Sequence, residues 1–168
     1  TNATYQWSFP GGSPASSTLP VPGNIIYNTA GTYTITLSVT NECGTTTRTS
    51  TITITPLPVA DAGPDKSFCS GASTTIGSAP VSGNTYQWTP VTGLSSSTAA
   101  NPTLTLTNPG ATPLVLTYVV TVTNSNNCVK TDTVLITVNP LPPVAVSPNI
   151  GICIGTSTTL TATGADSY

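Results

Sequence analysis

Apolar and polar side chains alternate with a period of two along most of this chain. Leu116, Tyr118, Val120 and Val122 share one face of a run that ends near Asn124, and Val134, Ile136 and Val138 share one face of the next. Tyr86 and Trp88 face inward from a shorter run, Leu104 and Leu106 from another, and Ile76 from an earlier one, while Thr fills the outward positions. Successive side chains of a strand point to opposite faces, so this alternation, bounded by Gly, Pro and Asn, predicts half-buried strands. About seven short strands in one repeat length predict an all-β fold, an antiparallel two-sheet sandwich.

The pattern also repeats. Ile52-Thr53-Ile54-Thr55-Pro56-Leu57-Pro58 returns as Ile136-Thr137-Val138-Asn139-Pro140-Leu141-Pro142, an offset of 136 − 52 = 84. Phe68-Cys69-Ser70-Gly71 and Ser73-Thr74-Thr75-Ile76 return 84 residues later as Ile152-Cys153-Ile154-Gly155 and Ser157-Thr158-Thr159-Leu160. Tyr5-Gln6-Trp7 returns as Tyr86-Gln87-Trp88, 81 residues on, and Tyr168 lies 82 beyond Tyr86, a drift that loop insertions explain. The two Pro-Leu-Pro segments read as short, stiff linkers. The expected organisation is therefore one complete repeat over 58–141, the back part of a preceding copy over 1–57 and the front part of a following copy over 142–168. On this reading the chain is two periods of a longer array, cut out of phase.

Charge narrows the function. The chain has three basic and five acidic side chains among 168 residues, and no His. Arg48, Lys66 and Lys130 lie far apart, whereas a phosphate-reading surface needs clustered cations, so nucleic-acid binding is not expected. Without His, the commonest general base and transition-metal ligand is missing, and no enzyme and no cofactor are expected. No apolar run approaches the length of about 18 residues that a spanning helix needs, so membrane insertion is not expected either. So little charge is unusual for a chain that stays apart from its neighbours, which directs attention to neighbouring repeats, copies of itself or glycans as partners.

Tyr86-Gln87-Trp88-Thr89-Pro90, Gly93-Leu94, Asn101-Pro102 and Tyr118-Val119-Val120-Thr121-Val122-Thr123-Asn124, followed by Cys128, form a string that covers most of residues 60–141. It resembles the PKD-like, immunoglobulin-like repeats of large secreted surface proteins of Bacteroidota, including adhesins associated with gliding motility. Gly31-Thr32-Tyr33-Thr34-Ile35-Thr36-Leu37-Ser38-Val39-Thr40-Asn41 resembles the corresponding strand in the first copy. The resemblance implies tandem immunoglobulin-like sandwich domains, export to the bacterial cell surface, often by the type IX route, and service as stalk or adhesive modules. Many PKD domains carry Trp-Asp-Phe-Gly-Asp-Gly, where this chain has Trp7-Ser8-Phe9-Pro10-Gly11-Gly12 and Trp88-Thr89-Pro90-Val91. The acidic positions are gone, and a calcium role does not carry over.

Among candidate side chains the cysteines come first. Cys69 and Cys153 occupy equivalent places near the front of a copy, and Cys43 and Cys128 equivalent places near its back. Cys69 with Cys128 is the pair that belongs to one whole repeat, so a disulfide tying strand ends is expected there. Cys43 and Cys153 are left with partners outside the segment, or free. A metal site is disfavoured because close Cys-x-x-Cys spacing and His are both absent. Trp7 and Trp88 are expected in sandwich cores rather than on a sugar-stacking platform. Asp61 and Asp65 read as a solvated turn, since the third copy offers Val146 and Asn149 there and two carboxylates make a poor calcium site. Asp132-Thr133-Val134 fits the Asp-Ser/Thr-hydrophobic pattern that the resemblance implies for O-glycosylation, with Thr133 outward, and Asp166-Ser167-Tyr168 fits it less well.

The function expected from sequence is a non-catalytic structural or adhesive repeat module of an extracellular stalk or filament. The rival is a carbohydrate-binding accessory module of a secreted polysaccharide-degrading enzyme, with surface glycans as partners.

Overall fold

A computed structural model describes residues 2–148 and 150–164. Asn149 and the Asp166-Ser167-Tyr168 pattern lie outside the described residues. The chain divides into two compact units, Thr1–Pro58 with the turn Asn126–Cys128, and Val59–Ser125 with Val129–Tyr168.

The first unit contains β1 (Thr4–Ser8), β2 (Gly12–Ser13), β3 (Ser16–Ser17), β4 (Ile26–Tyr27), β5 (Gly31–Asn41) and β6 (Gly44–Ile54). Its main sheet has the order β3-β1-β5-β6, and β2 pairs with β4 as a separate ribbon. The long β5–β6 hairpin is stitched on its outer face by hydroxyl pairs, Thr40 with Thr45 at 2.7 Å, Ser38 with Thr47 at 3.0 Å and Thr32 with Thr53 at 3.2 Å. Such cross-strand pairs are the sheet's equivalent of helical i,i+4 contacts. They explain how Thr-rich strands pair without charge.

The second unit contains β7 (Lys66–Cys69), β8 (Ser73–Thr75), β9 (Thr85–Thr89), β10 (Thr103–Thr105), β11 (Leu114–Thr123) and β12 (Val129–Asn139). Two sheets form, β7-β12-β11-β9 and β10-β8, and their inward faces enclose the core. Trp88, Leu104, Tyr118, Val120, Ile136 and Val138 are each at most 1 % exposed. The alternation marks these residues as inward, and the all-β, immunoglobulin-like sandwich is the fold. One pairing departs from the antiparallel expectation: β7 runs parallel to β12, with Ile136 opposite Lys66 and Asn139 opposite Cys69. Carboxylates set that direction. Asp132 accepts the Ala62 amide at 2.8 Å and Asp65 accepts the Leu135 amide at 2.8 Å. The entering chain is thereby clasped along β12 before β7 begins.

Beyond β12, β13 (Ala145–Val146) pairs with β14 (Ala162–Thr163). Most apolar side chains of this C-terminal segment are exposed.

Candidate functional site

The residues singled out by sequence fall into a core, two ends of a strand and an outward face. Trp88 is 0 % exposed, lies opposite Val120 in the β9–β11 register and donates its indole N–H to the Ala99 carbonyl at 2.9 Å. It therefore offers no ring to a sugar. Trp7 occupies the same place in the first unit, opposite Leu37, with its indole donating to the Leu19 carbonyl at 3.1 Å. It is only half-buried, against the expectation that both tryptophans fill cores. The reason is what stands across from it. The second unit has β8, Ile76 and Ala62 over Trp88, whereas the main sheet of the first unit ends at β6.

Tyr118, wholly buried, donates its hydroxyl to the Thr92 carbonyl at 2.5 Å. Burial disfavours the phenolate and pushes this phenol above its ordinary pKa. It acts as a neutral donor that ties a loop to the core.

The structure does not bring Cys69 and Cys128 together, and the expected disulfide is corrected. Cys69 ends β7 and lies opposite Asn139, the last residue of β12, while Cys128 directly precedes Val129, the first residue of β12. An eleven-residue strand separates them by about 33 Å at roughly 3.3 Å per residue, whereas a disulfide needs Cα atoms about 4.4–6.8 Å apart. The repeat assigns each cysteine correctly to the front or back of a copy. What it does not say is that the parallel β7–β12 pairing sends front and back to opposite ends of the sandwich. Cys43 and Cys128 sit alike in the β5–β6 and β11–β12 turns. Cys69 and Cys153 also sit alike, the carbonyl of each accepting from the amide three residues on, Ala72 at 3.0 Å and Thr156 at 3.1 Å.

The acidic residues are structural acceptors. Asp61 Oδ1 accepts the Gly63 amide at 2.9 Å in a local turn, as expected for a solvated turn residue. Sequence reasoning missed that Asp65 and Asp132 clasp the entering chain to β12. It also missed Asn108, 7 % exposed, whose amide nitrogen donates to the carbonyls of Thr112 and Val138 at 2.8 Å each and whose oxygen accepts from Gly110 at 3.0 Å. The Asn108-Pro109-Gly110 run is the available signal, because Asn before such a turn often bonds the backbone two residues on. Among the described residues no group of three or more His, Cys, Asp or Glu side chains is placed to hold a metal ion.

Thr133 is exposed on β12 beside Val134, which is 1 % exposed, so its hydroxyl points outward. Thr133 in the second unit and, separately, the stitched hydroxyls of the β5–β6 hairpin in the first give each unit a weakly charged, hydroxyl-bearing surface.

A search of curated proteins finds no match. Among solved structures, the chain is similar to the titin domains z1z2 in complex with telethonin, with 14 % identity, 83 % of each chain covered and a TM-score of 0.34. It is also similar to extracellular domains 3–5 of Drosophila OTK, with 16 % identity, 82 % of this chain and 52 % of that chain covered and a TM-score of 0.40. A third likeness is to human CDH23 EC21-23, with 13 % identity, 97 % and 69 % coverage and a TM-score of 0.34. The family comparison agrees with the repeated Tyr-Gln-Trp strand and the β5–β6 hairpin: residues 1–54 match the PKD domain model.

Proposed function

We propose that this chain is a non-catalytic structural or adhesive module, a length of tandem repeats that serves as stalk or filament in a secreted protein of the bacterial cell surface. The observation that carries this reading is the reuse of one scaffold. Trp7 and Trp88 sit in the same register against the central strand of their sheets, and each donates to a carbonyl in the loop that follows. The PKD match over residues 1–54 supports the same reading, as does the resemblance of residues 60–141 to surface repeats of Bacteroidota. Neighbouring repeats and further copies are the proposed partners, and O-glycosylation of outward hydroxyls such as Thr133 is the proposed means of keeping so uncharged a surface apart. Burial of Trp88 weighs against the accessory-module rival, which needs an exposed aromatic platform.

The test is made in the native host. Antibody raised to the folded chain should label intact, unpermeabilised cells, and Thr133→Ala should lower the intact mass of the secreted protein by the mass of a sugar beyond the small difference between the two side chains. Saturable binding to a glycan array that Trp7→Ala abolishes would replace this reading with the accessory module.

A further inference from the structure

In the second unit the chain enters and leaves along neighbouring parallel strands. The entering segment meets β12 first at Ala62, whose amide donates to Asp132 Oδ2 at 2.8 Å, and next at Asp65, whose Oδ1 accepts the Leu135 amide at 2.8 Å. The β7–β12 ladder follows, from Lys66 opposite Ile136 to Cys69 opposite Asn139. The offset is 70 throughout (132 − 62, 135 − 65, 139 − 69), so the carboxylate bonds and the backbone ladder share one parallel register. Two more bonds close its far end, the Ser70 amide donating to the Asn139 carbonyl at 2.8 Å and Asn139 Nδ2 donating to Ser67 Oγ at 3.0 Å.

The carboxylates extend the register where the backbone cannot. Gly63 stands at φ 80° and Pro64 carries no N–H, so a regular ladder does not run upstream of Lys66. Asp132 and Asp65 bridge that gap. Ala62 is 0 % exposed and its carbonyl accepts the Gly77 amide at 2.8 Å, which anchors the first contact in the core. Tension along the chain draws Val59 backward along the entering segment and Pro140 forward beyond β12. Because the two strands are parallel, these pulls slide one along the other and load every bond of the register at once. In an antiparallel pair the same pulls would act at one end and open the bonds in turn.

We propose that Asp132 and Asp65 form a tension latch, which lengthens the β7–β12 shear contact across Gly63-Pro64 and lets the second unit carry force from one end of the chain to the other. Bonds that must break together hold longer under load than bonds that peel singly, and the latch adds its two bonds to the set that breaks together. The inference rests on the stalk reading for its purpose, since a stalk is loaded end to end. The latch itself belongs to the folded second unit and can be measured on the chain alone.

The experiment holds the whole 168-residue chain by handles fused to its two ends and records dwell times at constant force, which report the unfolding rate. Opening of the second unit is recognised by a length gain of about 26–29 nm, the extended span of roughly 80 residues. Asp132→Ala should shorten that dwell about tenfold or more, because the buried Ala62 amide loses its acceptor, and Asp132→Asn should restore most of it. Asp65→Ala, at an exposed position that places little demand on folding, should shorten it about threefold. A second geometry supplies the control. With Cys43, Cys128 and Cys153 replaced by Ser, handles on Cys69 and on the C-terminal end load the register from its Cys69–Asn139 end, where it peels. The unit should then open at a several-fold lower force, with a dwell that Asp132→Ala changes less than twofold. Equal resistance in the two geometries overturns the proposal, as does an end-to-end dwell indifferent to Asp132→Ala and Asp65→Ala. The same fold-change in both geometries also overturns it, since the carboxylates would then stabilise the fold without regard to the direction of load. Each of these results leaves the stalk reading standing, which fails instead if intact cells are not labelled.

Discussion

At the scale of single residues, the same Tyr-Gln-Trp motif meets two fates. Trp88 fills a closed core, and Trp88→Ala should cost about 3–5 kcal/mol, the usual penalty for a large buried aromatic. Trp7 is half-buried, so Trp7→Ala should cost clearly less at low concentration, as read from urea midpoints of the two variants. Tyr118 supplies a pH test. Burial raises its pKa above the ordinary tyrosine value, so the folded state holds the phenolic proton more tightly than the unfolded chain. The stability this contributes is complete below the unfolded pKa and is lost as pH rises through the folded one. Urea midpoints of the second unit should therefore fall above about pH 10, and Tyr118→Phe should lower stability by about 1 kcal/mol at neutral pH while flattening that alkaline fall. Both inward faces are legible in the local alternation. Whether a face is covered is not, because the covering residues, Ala62 and Ile76 over Trp88, lie outside the strand whose alternation is read.

At the scale of elements, alternation tells which side of a strand is inward but not which strand lies beside it, or in which direction. That is why the sandwich and its core strands can be read from sequence while the parallel course of β7 cannot, and why the cysteines are assigned to the right repeat but the wrong ends. Direction is set by the clasp before β7, and the clasp can be tested. Asp132→Ala leaves the amide of Ala62, a residue 0 % exposed, without its acceptor, an orphaned buried donor worth about 1–3 kcal/mol. Asp132→Asn keeps an acceptor oxygen and should recover most of the loss, as measured by denaturant unfolding of the second unit. The cysteines give a covalent check on the same pairing. Peptide mapping of native chain under non-reducing conditions should recover no Cys69–Cys128 peptide. Finding it would mean that β7 does not lie along the end of β12.

At the scale of the whole chain, the two units differ in how much core each holds. In the second, eleven buried residues from Ala62 to Val138 form one apolar cluster, and burying one large aliphatic or aromatic side chain is worth about 1.5–3 kcal/mol. In the first, among the described residues of 1–54, Phe9 is the buried apolar side chain, at 3 % exposed, and the main sheet is held largely by backbone pairing and surface hydroxyl bonds. Surface hydrogen bonds exchange with water and contribute little net stability, so the eleven-residue β5 and β6 strands should open more readily than β11 and β12 despite their similar lengths. Hydrogen exchange read by mass spectrometry at low micromolar concentration should show amides of residues 31–54 exchanging well before those of residues 114–139. Urea should unfold the chain in two steps, the first reported by Trp7 and the second by Trp88. Equal protection of the two hairpins at that dilution would show that the partial exposure of Trp7, Ile52 and Ile54 costs the first unit nothing.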